Sequence, residues 1–347
     1  MQIYADNCRT ALAHIDQPVR QYQPQSTLER FSASAMVMRG LRYIDYPWQV
    51  RQQTADIHHV LDHGYAHLAP QLANGKKVVT VHDLIPYLCW KGHLKTAQRV
   101  RKPLLNLYSL KSLADFDAVI TPSKQTKQDL IRFLGLDEQR IHCVPPGLAA
   151  YFKRYDKALV QAFKQNYLSD QNARLIMISG REFYKNHTVC LQVLKQLLSR
   201  SSEPICLIKT GLESPEFNRQ VQALGLSAHV FSLFLQDVSE LPLLYNAVDC
   251  LLFPSLYEGF GMPVVEALAC GTPVVTSNAG SLPEVSGELA LQCSAEDVSQ
   301  LVEGVWQALN DPEVKSRVVR DGPAWVAPFR VEQVGARLQQ VYQVALS

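Results

Sequence analysis

Two glutamates eight residues apart, Glu258 and Glu266, flank a glycine turn, Gly259-Phe260-Gly261-Met262. An ionised carboxylate only accepts hydrogen bonds and pairs well with vicinal hydroxyls. A glycine loop that runs into a helix presents backbone N–H groups and the positive end of the helix dipole to an anion. A phosphate cradle between two hydroxyl-binding carboxylates suggests a nucleotide sugar. Two further constellations could carry chemistry. One is Arg181 and Lys185 within Ser179-Gly-Arg-Glu-Phe-Tyr-Lys-Asn-His187; the other is His82-Asp83 within Val78-Val-Thr-Val-His-Asp-Leu-Ile-Pro86. Each residue has a plainer alternative. Glu258 could be a solvated loop charge, Glu266 an exposed helix residue and Lys185 a surface charge. His82 could be structural, and Asp83 could cap the turn that follows it.

The elements that must position these groups are legible. Val248-Asp-Cys-Leu-Leu-Phe253 reads as a buried strand, with Glu258 exposed on the loop behind it. Pro263 suits the first turn of a short helix and Gly271 the position past its end. Strand-like runs alternate with helical patterns from about residue 55, which argues for parallel sheets covered by helices. The first set is 55–61, 77–81, 118–121 and 140–144; the second is 174–179, 204–209, 229–234, 249–253 and 272–276. The turn-rich Val144-Pro-Pro-Gly-Leu148 divides them. Val331, Val334, Leu338, Val341 and Ala345 predict an amphipathic C-terminal helix. At the amino end Met1–Ala5 is the one candidate strand, and Asn7–Ile15 looks helical without a Gly-rich turn. The first domain is therefore expected to begin inside its first helix, without a first strand.

The 347 residues suggest two domains. A net charge of +2, from 34 basic and 32 acidic side chains, gives no nucleic-acid footprint. The amino end lacks the pattern of a signal peptide, and the eight scattered cysteines, without a Cys-x-x-Cys pair, read as reduced thiols of a cytoplasmic protein.

The segment Phe253–Glu284 resembles the donor-binding region of the family 4 retaining glycosyltransferases. The residues that carry the resemblance are Pro254-Ser255, Glu258-Gly-Phe-Gly261, Pro263, Glu266-Ala267, Gly271-Thr-Pro-Val-Val275 and Ser281-Leu-Pro-Glu-Val285. It implies a GT-B fold, α/β, with two Rossmann-like domains whose parallel sheets face across a cleft. Residues 1–147 would form the acceptor-side domain and 148–325 the donor-binding domain, with 326–347 a helix returning to the first. By that resemblance Glu258 would meet hydroxyls of the donor sugar, and Glu266 the ribose. Backbone N–H groups of Gly259, Phe260, Gly261 and Met262 would hold the distal phosphate. Arg181 and Lys185 would neutralise the leaving diphosphate, although Tyr184 stands where an arginine often precedes the lysine. His82 would lie near donor sugar and acceptor, with Asp83, His63 and Tyr65 on the acceptor side.

The implied activity is transfer of a hexose from a GDP- or UDP-sugar to a glycan or lipid-linked acceptor with retention. It would proceed without cofactor or metal; the Tyr-Glu-Gly-Phe-Gly form is mannosyltransferase-like. A GT-B nucleotide-sugar isomerase or phosphorylase, or a non-catalytic partner subunit, is the alternative. Three histidines at 59, 63 and 67 have metal-ligand spacing for one helix face, but Ile57–Leu61 reads as strand and Gly64 interrupts a helix. Asp115 and Asp117 form an Asp-x-Asp pair that belongs to the other major glycosyltransferase fold. From Leu84 to Ala114 there is no acid, and Lys91, Lys95, Arg99, Arg101, Lys102 and Lys111 fall among apolar residues at helical spacing, broken near Pro103. This segment is either a solvated helix face or a basic face for an anionic membrane, at the cytoplasmic side.

Overall fold

The computed structural model describes residues 2–15, 17–24, 35–95, 104–167, 173–211, 214–235 and 237–347, and of residues 2–3 and 35–41 the backbone alone. The chain divides into two units: Met1–Gly147 with Val331–Ser347, and Leu148–Arg330.

The first unit opens with α1 (Gln2–Ala13) and α2 (Ala35–Val50). Then come β1 (Ile57–Val60), β2 (Lys76–Thr80), α3 (Ile85–Trp90), α4 (Leu104–Lys111), β3 (Ala118–Thr121), α5 (Lys124–Asp129) and β4 (Ile141–Cys143). The strands form one parallel sheet in the order β1-β2-β3-β4. The candidate strand at Met1–Ala5 is instead helix from Gln2 on. The reason lies in the period: Ala5, Cys8, Ala11 and Leu12 recur at three and four, and all are buried.

The segment 84–114, read as helical with a break near Pro103, carries α3 and α4 among its described residues. Gly92 (φ +75°) ends α3 in a Schellman turn, with Gly92 N–H on Cys89 O and His93 N–H on Leu88 O.

The second unit carries α6 (Lys157–Tyr167), β5 (Arg174–Ile178), α7 (His187–Arg200), β6 (Ile205–Thr210), α8 (Pro215–Ala223), β7 (Val230–Leu233) and α9 (Leu241–Ala247). It continues with β8 (Cys250–Phe253), α10 (Met262–Ala269), β9 (Val274–Ser277), α11 (Leu282–Ser286), β10 (Leu291–Cys293), α12 (Val298–Asn310) and α13 (Pro312–Val326). The strand order is β10-β9-β8-β5-β6-β7, all parallel. The three-residue β10 escaped the sequence reading because it is too short to show a period. Alternation along the strands fills two cores. Leu175, Met177, Leu251 and Phe253 pack towards α9, α10 and α13, and Ile176, Ile178, Cys250 and Leu252 towards α7, α8 and α12.

The last helix, α14 (Val331–Leu346), belongs to the first unit. Its buried Val331, Val334, Leu338, Val341 and Ala345 share a core with Val78, Ala118, Ile120 and the apolar face of α1. The two helices meet at Gly335, where a Cβ would lie 2.2 Å from Ala11 O, so only glycine allows the approach.

Candidate active site

In the second unit β5 pairs with β8 on one side and β6 on the other, so successive crossovers leave β5 in opposite directions. Loops at the carboxyl ends of such a pair diverge and open a crevice, the usual ligand position in an open parallel sheet. The loops that follow β5 and β8 carry Arg181 and Lys185 on one side and Glu258 on the other.

Lys185 Nζ donates to Glu258 Oε1 at 2.8 Å, with side chains only 12% and 10% exposed. Separate roles, Lys185 at phosphate and Glu258 at sugar, do not by themselves imply this pairing. Glu258, expected on an exposed loop, is buried because the loop after β9 closes on it. A Cβ on Gly280 (φ +57°) would lie 2.9 Å from both N and O of Glu258. The Ser281 hydroxyl bridges the carbonyl oxygens of Glu258 and Phe260, at 3.0 and 2.7 Å. Asn186, in the left-handed region at φ +59°, ties the loops together. Its Nδ2 donates to Pro254 O at 3.2 Å and Ala295 O at 2.7 Å, and Leu256 N–H donates to Tyr184 O at 2.8 Å. Lys185 Nζ also lies 4.6 Å from the Phe253 ring centroid. Arg181 is exposed, with Nε 4.0 Å from Glu182 Oε1.

Helix α10 begins at Gly261 (φ +105°) without a side-chain cap. A Cβ there would meet Leu282 Cδ2 at 2.8 Å. Phe260 is buried with its ring edge-on to Phe329 at 5.5 Å, and Gly259 is buried beside it; Met262 is half-buried. Glu266, also half-buried, sits one turn into the helix and accepts from the Tyr245 hydroxyl at 2.8 Å. Burial pushes the Glu266 carboxyl up to about 7, against the Tyr245 hydrogen bond and the Lys185 charge.

Three polar groups here were missed or misjudged from sequence. Tyr245 is fully buried on α9, and its only signal was a tyrosine on an apolar helix face that needs a hydroxyl partner. Lys209, at the end of β6, is fully buried, with Nζ 3.5 Å from Thr210 O and 5.5 Å from the Phe217 ring. Strand β6 lies between β5 and β7 in a sheet covered on both faces, so both sets of its alternating residues are buried. His187 donates through Nε2 to Ser179 O at 3.1 Å, and burial lowers it to about 4, with Lys209 and Lys185 adding to the effect.

In the first unit the carboxyl ends of β1 and β2 bring together Asp62, His63, His82 and Asp83. His82 Nε2 donates to Leu61 O at 2.8 Å, which leaves Nδ1 as the acceptor nitrogen, and the Tyr4 ring stands edge-on at 4.7 Å. His63 is buried, with Nδ1 making no hydrogen bond and lying 3.7 Å from Asp62 Oδ1. Burial keeps its imidazole below the ordinary range, against the pull of Asp62 and Asp83. Asp83 accepts from Ile85 N–H at 2.8 Å, so it does cap the turn. Tyr65 lies under the Arg42 guanidinium at 3.8 Å and stacks on Tyr46.

The other two histidines are structural. His59, on β1, bridges Tyr342 and Thr80, each at 2.8 Å, and burial lowers it to about 3. His67 bonds Ser109 and Arg42 O from the 3₁₀ helix His63–Gln71. The three therefore share no helix face, and among the described residues no group of three His, Cys, Asp or Glu could hold a metal ion. Asp117 accepts from Lys77 N–H at 2.8 Å and pairs with Lys76. Lys91 and Lys95 are exposed, whereas Arg99, Arg101 and Lys102 lie outside the described residues.

The sequence pattern described as Glycosyl transferases group 1 matches residues 160–325, and the one described as Glycosyltransferase Family 4 matches residues 20–150. The chain belongs to the family 4 glycosyltransferases. As a glycosyltransferase it is 26% identical to O-antigen chain mannosyltransferase B of Escherichia coli over 78% of this chain and 70% of that one. It is 30% identical to the serotype-specific mannosyltransferase WbdA of Escherichia coli over 68% of this chain, but spans only 29% of that protein.

Among solved structures, the glycosyltransferase resembles sucrose-phosphate synthase from Thermosynechococcus elongatus with a TM-score of 0.75 and 21% identity, over 93% of this chain and 80% of that one. It resembles Anabaena Alr3699/HepE, solved with UDP and glucose, with a TM-score of 0.73 and 18% identity, over 96% and 88%. The two parallel α/β units are thus those of the GT-B fold. In this glycosyltransferase the buried lysine–glutamate pair, the uncapped helix start and the half-buried Glu266 converge at the point where the strand order reverses.

Proposed function

We propose that the chain transfers a hexose from a nucleoside-diphosphate sugar to a hydroxyl of a glycan or lipid-linked acceptor, with retention of the anomeric configuration. The observation that carries this reading is the buried Lys185–Glu258 pair beside the uncapped start of α10. A cation, a hydroxyl acceptor and an uncapped helix N-terminus at one strand-order reversal match the three parts of a sugar diphosphate. Phosphate oxygens would take the N–H groups of Gly259 to Met262 and the Lys185 ammonium, with exposed Arg181 reaching the outer oxygens. Glu258, released in part from Lys185 as the diphosphate arrives, would accept from sugar hydroxyls, and Glu266 from the ribose.

As the sugar C1–O bond breaks, the electron pair stays on the departing phosphate. Fixed cations there lower the barrier without reorganisation. The acceptor oxygen would bond C1 on the same face and pass its proton to that phosphate oxygen, so no enzyme nucleophile is needed. The charge role that a metal fills in other glycosyltransferases falls in this reading to Lys185 and Arg181. The cluster Asp62, His63, His82 and Asp83 would serve the acceptor side, with His82 Nδ1 accepting from a hydroxyl. Mannose is the proposed hexose, supported by the relatives named mannosyltransferases. Incubation of GDP-mannose and UDP-glucose with and without an oligosaccharide acceptor panel tests this. Sugar transfer that requires acceptor is expected, and donor rearrangement or phosphorolysis without transfer would replace the reading.

A further inference from the structure

We propose that the outward faces of α2 and α4 form a docking surface for an anionic lipid bilayer. On α2, Tyr46 and Val50 pack into a core with Leu68 and Leu72. Ile44 and Trp48, one turn apart on the opposite face, are 78% and 63% exposed. On α4, Ser109 and Leu110 are buried, while Leu104 and Tyr108, again one turn apart, are 65% and 54% exposed. Both helices rest on the 3₁₀ helix His63–Gln71 and are joined by Tyr43. Its hydroxyl lies 3.1 Å from Leu105 O and 3.3 Å from Ser109 Oγ, and its ring lies 6.3 Å from that of Tyr108. Leu105 is exposed as well, and Tyr22, which bonds Gln49 of α2, adds a second aromatic edge.

A solvated helix has no use for a turn-spaced Ile/Trp pair beside a turn-spaced Leu/Tyr pair. Adjacent apolar stripes that carry Trp and Tyr suit the zone between lipid headgroups and acyl chains. The charge on α4 and at the end of α3, which packs on α4, selects the partner. Lys91, Lys95 and Lys111 are exposed, and Leu84–Ala114 contains no acid. The one acid on the described part of α2, Asp45, accepts from Gln49 at 3.0 Å. A second copy of the chain would bring the same basic rim against itself, whereas an anionic leaflet complements it. The surface stands independently of the reaction proposed above.

Flotation tests it, with vesicles of phosphatidylcholine alone and with about one-third phosphatidylglycerol. The wild-type chain should float with the anionic vesicles. The pairs Ile44→Ser/Trp48→Ser and Leu104→Ser/Tyr108→Ser should each lower that partition about tenfold or more. The triple change Lys91→Gln/Lys95→Gln/Lys111→Gln should remove the preference for anionic lipid. Brominated lipid should quench tryptophan emission of the wild-type chain, and the quenching should disappear in Trp48→Phe, a readout that does not depend on the stability of the serine variants. Equal flotation of all variants, or quenching unchanged in Trp48→Phe, overturns the proposal. So does a wild-type dimer without lipid that the serine pairs convert to monomer, because the face then belongs to a second copy.

Discussion

The Lys185–Glu258 pair is the most consequential contact of the second unit, because two charges this buried stabilise only as a pair. Removing one partner leaves the other without compensation, so Lys185→Ala should lower stability by about 3 kcal/mol, measured by urea unfolding, whereas Lys185→Met/Glu258→Leu should recover most of that loss. Glu258→Gln keeps an acceptor for the ammonium but not its counter-charge, and should fall between wild type and Lys185→Ala in stability. Glu266 gives a pH signature. Its folded carboxyl holds a proton up to about 7 while the unfolded one releases it near the ordinary glutamate value of about 4.3, so the folded state binds more protons between them. Stability from this group is therefore present at low pH and falls as pH rises towards 7. Glu266→Gln should remove that slope, and melting curves between these limits will show it. Nucleoside affinity should rise as pH passes 7 in the wild type and stay flat in Glu266→Gln, if the ionised carboxylate holds the ribose.

At the level of elements, the site depends on two glycines that hold backbone where a side chain cannot stand. Gly280→Ala would put a methyl against the peptide of Glu258 at a positive φ. It should cost about 1–3 kcal/mol of stability and reduce turnover far more than stability, since it moves the loop that carries Glu258. Gly261→Ala, which drives a Cβ into Leu282, should weaken nucleotide binding at the start of α10; calorimetric titration of both variants checks this.

The same elements mark what the sequence revealed. Strand β8, Pro263, Gly271 and the helix between them were legible because local rules place them within one stretch of chain. The burial of Glu258 was not, because Gly280 and Ser281 arrive from the next βα loop. Nor was its partner, which lies 73 residues away. The strand misread at Met1–Ala5 was too short for its period to compete with the helical pattern that runs on to Leu12. The burial of Lys209 was not legible because a strand-end lysine ordinarily reaches water, whereas β6 lies inside a sheet covered on both faces and buries five successive residues.

At the scale of the whole molecule, two parallel α/β units carry separate polar clusters: the Lys185–Glu258 pair, proposed above to hold sugar and phosphate, where β5 meets β8, and a histidine–carboxylate cluster at the ends of β1 and β2. No helix among the described residues is long and apolar enough to cross a membrane. His82→Ala should then reduce transfer by about tenfold to a hundredfold while leaving donor affinity unchanged, if it serves the acceptor.

The central claim is that Glu258 holds the sugar and Glu266 the nucleoside. Titration of the chain with GDP and GDP-mannose, and with UDP and UDP-glucose, tests it without any knowledge of the acceptor. For the pair that binds, Glu258→Gln should erase the extra affinity of the nucleotide sugar over the bare nucleotide. Glu266→Gln should weaken both ligands alike by about tenfold or more, as expected for lost hydrogen bonds to a charged group. Wild-type affinity for both ligands in both variants would contradict the assignment.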